Sequence, residues 1–259
     1  MKNIQLTLEY DGTNYHGWQS QALSGKPTIQ ETVEHAIGKV AHEVVKTNSS
    51  GRTDAGVHAF GHVASFKTAC SIPPAAWAPA LNHLLPLDIR VRTSKEVTND
   101  FHARYSAIGK IYRYRILNRR EPTALYRNYA WQVNLPLHVN NIKHASACLV
   151  GTHDFSSFRG SGCSAKTPIR TMKSVLIKRS GEFLEFWFEA DAFLQYMVRN
   201  ITGTLVEIGL GRFKPEDMQE ILLSRDRTNA GRTAPSQGLY LMSVKYMNDE
   251  VVRSFAKVT

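Results

Sequence analysis

Residues 111–117, Ile-Tyr-Arg-Tyr-Arg-Ile-Leu, set large apolar or aromatic side chains against arginines in a two-residue rhythm. Side chains of a strand point alternately to its two faces, so the spacing predicts a strand with Tyr112 and Tyr114 on one face. Downstream, LHVNNIKHASACLV (137–150) reads as a helix. MKSVLIKRS (172–180) and EFLEFWFEA (182–190) read as two strands joined at Ser180-Gly181. AFLQYMVRNITGTLVEIGL (192–210) predicts a long, mostly apolar helix that carries one arginine, Arg199. PEDMQEILL from Pro215 predicts a short helix with proline at its first position, and LYLMSVKY (239–246) a closing strand.

Upstream the same mixture occurs once more. Residues 3–9 alternate as a strand and run into a glycine-containing turn, DGTNYHGWQSQ (11–21). Thr28-Ile-Gln-Glu31 has the capping-box pattern, and Ile29, Val33, Ala36, Ile37, Val40 and Ala41 then fall on one helical face. A strand at 60–67, a helix at 74–85 and a strand at 89–97 complete the unit. Strands and helices interleave twice with hairpins among them, which predicts an α+β fold rather than a parallel sheet. The expected division is 1–100 and 101–259. No linker separates the halves, so they should share a sheet or a broad interface.

At 259 residues, 42% hydrophobic and 21% charged, the chain can build an ordinary core. No apolar run reaches the ~18 residues of a membrane span, and the N-terminus lacks the apolar region of a signal peptide, so a cytoplasmic protein is expected. Cys70, Cys148 and Cys163 are scattered, which argues against a disulfide framework or a cysteine-built zinc site. With 32 Lys and Arg against 22 Asp and Glu, the net charge is +10. Such an excess favours a polyanionic partner, because neutralising phosphates releases condensed counterions.

The segment most suggestive of chemistry is Ser49-Ser-Gly-Arg-Thr-Asp-Ala-Gly-Val-His-Ala59. Gly51 and Gly56 bracket Arg52 and Asp54, letting the backbone turn tightly and lie close to a ligand. An aspartate in such a turn can also serve folding alone, by bonding nearby backbone N–H groups.

GRTDAGVHA (51–59) resembles the active-site signature of the tRNA pseudouridine synthase A family. YDGTNYHGWQSQ (10–21), FHARYSAIGKIYRYRI (101–116), GTHDFSSFR (151–159), FLQYMVRNITGTLVEIG (193–209) and AGRTAPSQGLYLMSVKY (230–246) resemble its other motifs in order, over nearly the whole chain. The resemblance implies two ferredoxin-like α/β subdomains with a central mixed sheet and a basic cleft. It implies isomerisation of uridine to pseudouridine in the tRNA anticodon arm, at uridines 38, 39 and 40. It further implies a homodimer, no cofactor and no metal. Asp54 matches the essential aspartate, Tyr112 the active-site tyrosine, and Arg199 the arginine that pairs with the aspartate. One departure is Ser50, where many members have cysteine, and little consequence is expected.

The chemistry suits these residue types. Pseudouridine formation breaks the bond from C1′ to N1, turns the uracil and rejoins it through C5, with nothing oxidised and no group transferred in. An ionised Asp54 can attack covalently or assist cleavage, and attack at C1′, addition at C6 and a glycal route all stay open. Burial would tend to protonate it, and a bidentate Arg199 would hold it ionised. Tyr112 can stack on an extruded uracil, and its hydroxyl is placed to act as base for the C5 proton. The target base must leave its stack, and Arg52, His58, Arg104 and Arg113 are the candidates for contacting the nucleotide or its phosphates.

Rival chemistries fit less well. An aspartic protease needs a second carboxylate turn, which is missing from the sequence. His58 and His62 are four apart at the start of a strand, where that spacing does not converge on one metal. A non-catalytic RNA-binding protein would share the charge and the aromatics, but not the need for Asp54, Tyr112 and Arg199 together.

Overall fold

The computed structural model describes residues 1–19 and 25–247, so the end of the 11–21 turn lies outside the described residues. The first half contains β1 (Lys2–Tyr10), α1 (Ile29–Ala41), β2 (Asn48–Ser49), β3 (His58–Thr68), α2 (Trp77–Leu84) and β4 (Ile89–Val97). The second contains β5 (Ala107–Asn118), β6 (Trp131–Val133), α3 (Val139–Ser146), β7 (Gly151–Asp154), β8 (Ile169–Ser180), β9 (Phe183–Ala190), α4 (Met197–Gly209), α5 (Asp217–Ser224) and β10 (Leu239–Tyr246).

The ten strands among the described residues form one mixed sheet in the order β4-β1-β3-β10-β5-β9-β8-β7, with β2 attached to β3 and β6 to β5. The order resolves into two copies of the ferredoxin-like arrangement, β4-β1-β3-β2 and β10-β5-β9-β8. In the first copy β2 is cut to two residues and pairs only with Ser65 and Ala64. The start of β3 is thereby left open, and β10 pairs there in parallel through Tyr240 and Leu241. β10 thus fuses the two units. The loop between β2 and β3, which carries Asp54, emerges at that seam.

The predicted strand 111–117 is the middle of β5. Opposite it on β9, Phe188, Phe186 and Leu184 stand across from Tyr112, Tyr114 and Ile116, and these six side chains are buried on one face. Cross-strand pairs of this kind are the unit of sheet stabilisation. The capping box forms as read: Thr28 Oγ1 accepts from Glu31 N–H at 3.3 Å, and the Glu31 carboxylate accepts from Thr28 N–H at 3.2 Å.

Boundaries move where side chains or tertiary bonds compete with helix. The 74–85 helix opens as a 3-10 turn, Pro74–Ala76, and the 137–150 helix ends as one, Ala147–Leu149. The helix predicted from 192 begins only at Met197, because Tyr196 sits at φ 62° and the Gln195 carbonyl accepts from Gly160 N–H. Pro215 precedes α5 in a turn rather than opening it. The short strands β2, β6 and β7 have too few residues to show a period and went unread.

Candidate active site

Asp54 is held by backbone packed on backbone. The Trp18 N–H donates to the Thr53 carbonyl at 3.1 Å, and Gly17, at φ +79°, lies against the same peptide. A Cβ on Gly17 would stand 2.4 Å from the Thr53 oxygen. This is the purpose of the N-terminal glycine-containing turn: it buttresses the aspartate loop from behind. Gly17→Ala should combine the left-handed penalty of about 1–2 kcal/mol with that clash. The expected result is a lowered Tm together with reduced turnover; an unchanged Tm would show that the loop does not rest on this contact. Ser50 is also structural, its buried Oγ accepting from Val63 N–H at 3.3 Å.

Arg199 is the third residue of α4 and the one member of that helix not buried. Its Nη1 donates to Asp54 Oδ2 at 2.9 Å, and its Nε donates to the Ala234 carbonyl at 2.8 Å. The expected bidentate bridge is therefore a single bond, with the second donor spent on the loop ahead of β10. The Tyr196 ring lies 5.0 Å from the guanidinium carbon. Tyr112 reaches the same place from β5, its ring edge-on to Phe193 at 5.0 Å.

These groups line a cleft of about 670 Å³. Of the expected residues, the fold brings Asp54, Tyr112, Arg199, Arg52 and Arg104 to it. Arg113 is not among them. It lies on the opposite sheet face, against Phe60, Trp187 and Tyr240 and 3.5 Å from Glu185. His58 is also elsewhere, buried and stacked on Tyr240, with Nε2 2.9 Å from the Asn128 carbonyl. His62 parts from His58 and stacks on Trp18 at 3.8 Å.

Among the lining residues that the sequence did not single out are Lys110, Arg170, Phe193 and Leu239. Lys110 had a readable signal, since it shares the face of Tyr112 by the strand period. Phe193 did not, because its segment reads as helix.

Burial pushes the Asp54 carboxyl above its ordinary value, and Arg199 opposes this without cancelling it. Burial, then the Asp54 charge, raises the Tyr112 phenol well above its usual range. The Lys110 ammonium is pulled down to about 8 by burial and by Arg104 and Arg170. The arrangement offers an oriented carboxylate, an aromatic wall and cations around an opening wide enough for a nucleotide.

A family model described as tRNA pseudouridine synthase matches residues 7–106 and 145–247. The chain is 47% identical over 246 residues to tRNA pseudouridine synthase A of Acetivibrio thermocellus, covering 95% of this chain and all of that one. It is 48% identical, with the same coverage, to the protein of that name from Thermoanaerobacter sp. strain X514. Against tRNA pseudouridine synthase A 2 of Clostridium tetani it is 46% identical over 245 residues, covering 95% of this chain and 99% of the relative. The matched residues take in most of both units of the sheet and both members of the Asp54–Arg199 ion pair, and the chain belongs to the tRNA pseudouridine synthase family.

Proposed function

We propose that this chain isomerises uridine to pseudouridine in tRNA, with Asp54 as the essential carboxylate, Arg199 as its partner and Tyr112 as the wall against the extruded uracil. The observation that carries the reading is the 2.9 Å bond from Arg199 to a largely buried Asp54 inside a cation-lined cleft. Arg199 orients one carboxylate oxygen and leaves the other free to face the sugar. A neutral phenol suits stacking; with its proton held this firmly, Tyr112 is a poor base for C5 at neutral pH. Arg52 and Arg104 line the cleft and are placed for the RNA backbone. Arg113 and His58 serve the fold.

The division at residue 100 follows function: the first unit supplies Asp54, the second Tyr112 and Arg199. Family membership supports the anticodon arm, uridines 38, 39 and 40, as target and a homodimer as the working form. Family membership, with tRNA as substrate, supports a cytoplasmic location; among the described residues no helix is long and apolar enough to cross a membrane.

The test is to incubate the protein with unmodified tRNA transcripts tritiated at uracil C5, without metal or nucleotide. Tritium release, with pseudouridine mapped to the anticodon arm, is the expected result. Tight, salt-sensitive binding without release would instead make the chain a non-catalytic RNA-binding relative. Light scattering of the same preparation tests the dimer.

The acid limb of the rate profile is a second expected result. Asp54 acts ionised, so turnover is lost as pH falls through its folded-state pKa, which burial places above the ordinary value of about 3.9. Arg199→Gln removes the opposing cation and should carry the limb further up. The measurement is kcat/KM from about pH 3.5 to about 7.5, which takes in the ordinary carboxylate value. A limb at the ordinary carboxylate value would overturn the assignment.

A further inference from the structure

The cleft contains a cation that the proposed chemistry does not use. Lys110 on β5 lies two residues from Tyr112, about 7 Å along the strand, and on the same face. Its ammonium sits over the turn of the aspartate loop, so close that a Cβ on Gly51 would stand 2.6 Å from Nζ. Among the described residues no carboxylate pairs with it. The charges that act on it are two more cations of the same cleft, Arg104 ahead of β5 and Arg170 on β8. His62 on β3 feels its charge, and the cleft also holds Arg52 and Asp54 on the loop, His102 and Tyr105 ahead of β5, Tyr112, Cys163, Asp191 after β9, Tyr196 and Arg199. Asp191 is engaged, accepting from the Thr171 and Ala192 N–H groups. Desolvating an unpaired ammonium among like charges is costly, so the site is built for an anion that arrives from outside.

We propose that Lys110, with Arg104 and Arg170, grips a phosphodiester of the RNA strand beside the nucleotide held against Asp54. A uracil oxygen, being neutral, would bring no charge to these three cations; a phosphodiester brings the negative charge that Lys110 lacks. Lys110 is on this view a positioning residue, fixing the strand one nucleotide's reach from Tyr112. The inference rests on the proposed function, whose substrate contact it specifies.

The test compares the full-length protein with Lys110→Met and Lys110→Arg, using an unmodified tRNA transcript as probe. Lys110→Met should raise Kd about tenfold near 0.1 M salt and flatten the slope of log Kd against log salt by about 0.7 to 0.9, one phosphate contact. Lys110→Arg should restore both. Raising the pH from about 7 to about 9 should weaken wild-type binding, as the ammonium is neutralised, and leave Lys110→Arg unaffected, since guanidinium stays charged. Unchanged Kd, slope and pH dependence in Lys110→Met would overturn the proposal, as would a loss of kcat alone. Tritium release by the wild type separates the two readings. Active wild type with an unaffected Lys110→Met sinks only this inference. Inactive wild type whose binding responds as described keeps the phosphate grip and sinks the isomerase.

Discussion

Asp54→Asn is expected to abolish tritium release, by about 10⁴-fold or more, while leaving tRNA affinity within about threefold. The amide keeps the shape of the carboxylate, and its oxygen can still accept the 2.9 Å bond from Arg199 Nη1. It removes only the negative charge on which attack or cation stabilisation depends. Folding should not suffer. Burial raises the Asp54 pKa, so this group favours the folded state fully only below its unfolded pKa, and that contribution is lost as pH rises through the folded value. At neutral pH the ionised side chain is a cost that Asn relieves. The variant should therefore melt at or above the wild-type temperature and still bind tRNA. Residual turnover near the wild-type rate would remove Asp54 from the chemistry. Lost binding would mean that the carboxylate holds the loop in shape.

Gly203→Ala should be the most damaging of the Gly→Ala changes, since its Cβ would make the shortest contact. Gly203 lies in the buried helix α4, and a Cβ there would stand 1.7 Å from the Arg232 carbonyl oxygen. The loop before β10 is laid directly on the helix: Ala234 N–H donates to the Arg199 carbonyl at 3.1 Å, and Gly231 N–H to Thr204 Oγ1 at 3.0 Å. No rotamer can relieve a clash between Cβ and backbone, so helix or loop must move. Overpacking costs about 1–3 kcal/mol, and contact with backbone belongs at the top of that range. A Tm fall of about 2–4 °C per kcal/mol follows for a chain of this size. Moving the loop also takes the Ala234 carbonyl from Arg199 Nε, which frees the guanidinium to drift from Asp54. An error of about 1 Å in such a group can cost about 10²-fold in rate, so kcat should fall with the Tm. Gly162→Ala, where the new Cβ would meet only Gln195 Oε1 at 3.6 Å, is the control. Unchanged melting and kcat in Gly203→Ala would show that the loop yields freely.

Arg199 shows how far sequence reading reaches. A lone arginine in a run of apolar residues marked a charge needing a partner, and the family motif named Asp54. The second partner, the Ala234 carbonyl, is 35 residues away and could not be read. Arg113 and His58 lie outside the cleft, which their residue types alone do not signal. An arginine in a basic chain and a histidine beside a signature loop look available for RNA, and their availability depends on which sheet face they occupy. For Arg113 the strand period placed it opposite Tyr112, so its absence from the cleft was legible in principle.

Local sequence is enough for the strands and helices with a clear period, the cap of α1, the α+β class and, through its motifs, the aspartate loop. These depend on neighbours within a few residues, where side-chain alternation and backbone preference act. The tertiary structure decided that a two-residue β2 opens the edge of β3 to β10, that two units become one sheet, and that α4 starts at Tyr196's left-handed turn. It also decided which cations meet in the cleft. Those outcomes rest on hydrogen bonds and burial between residues far apart in the chain, and no local pattern carries them.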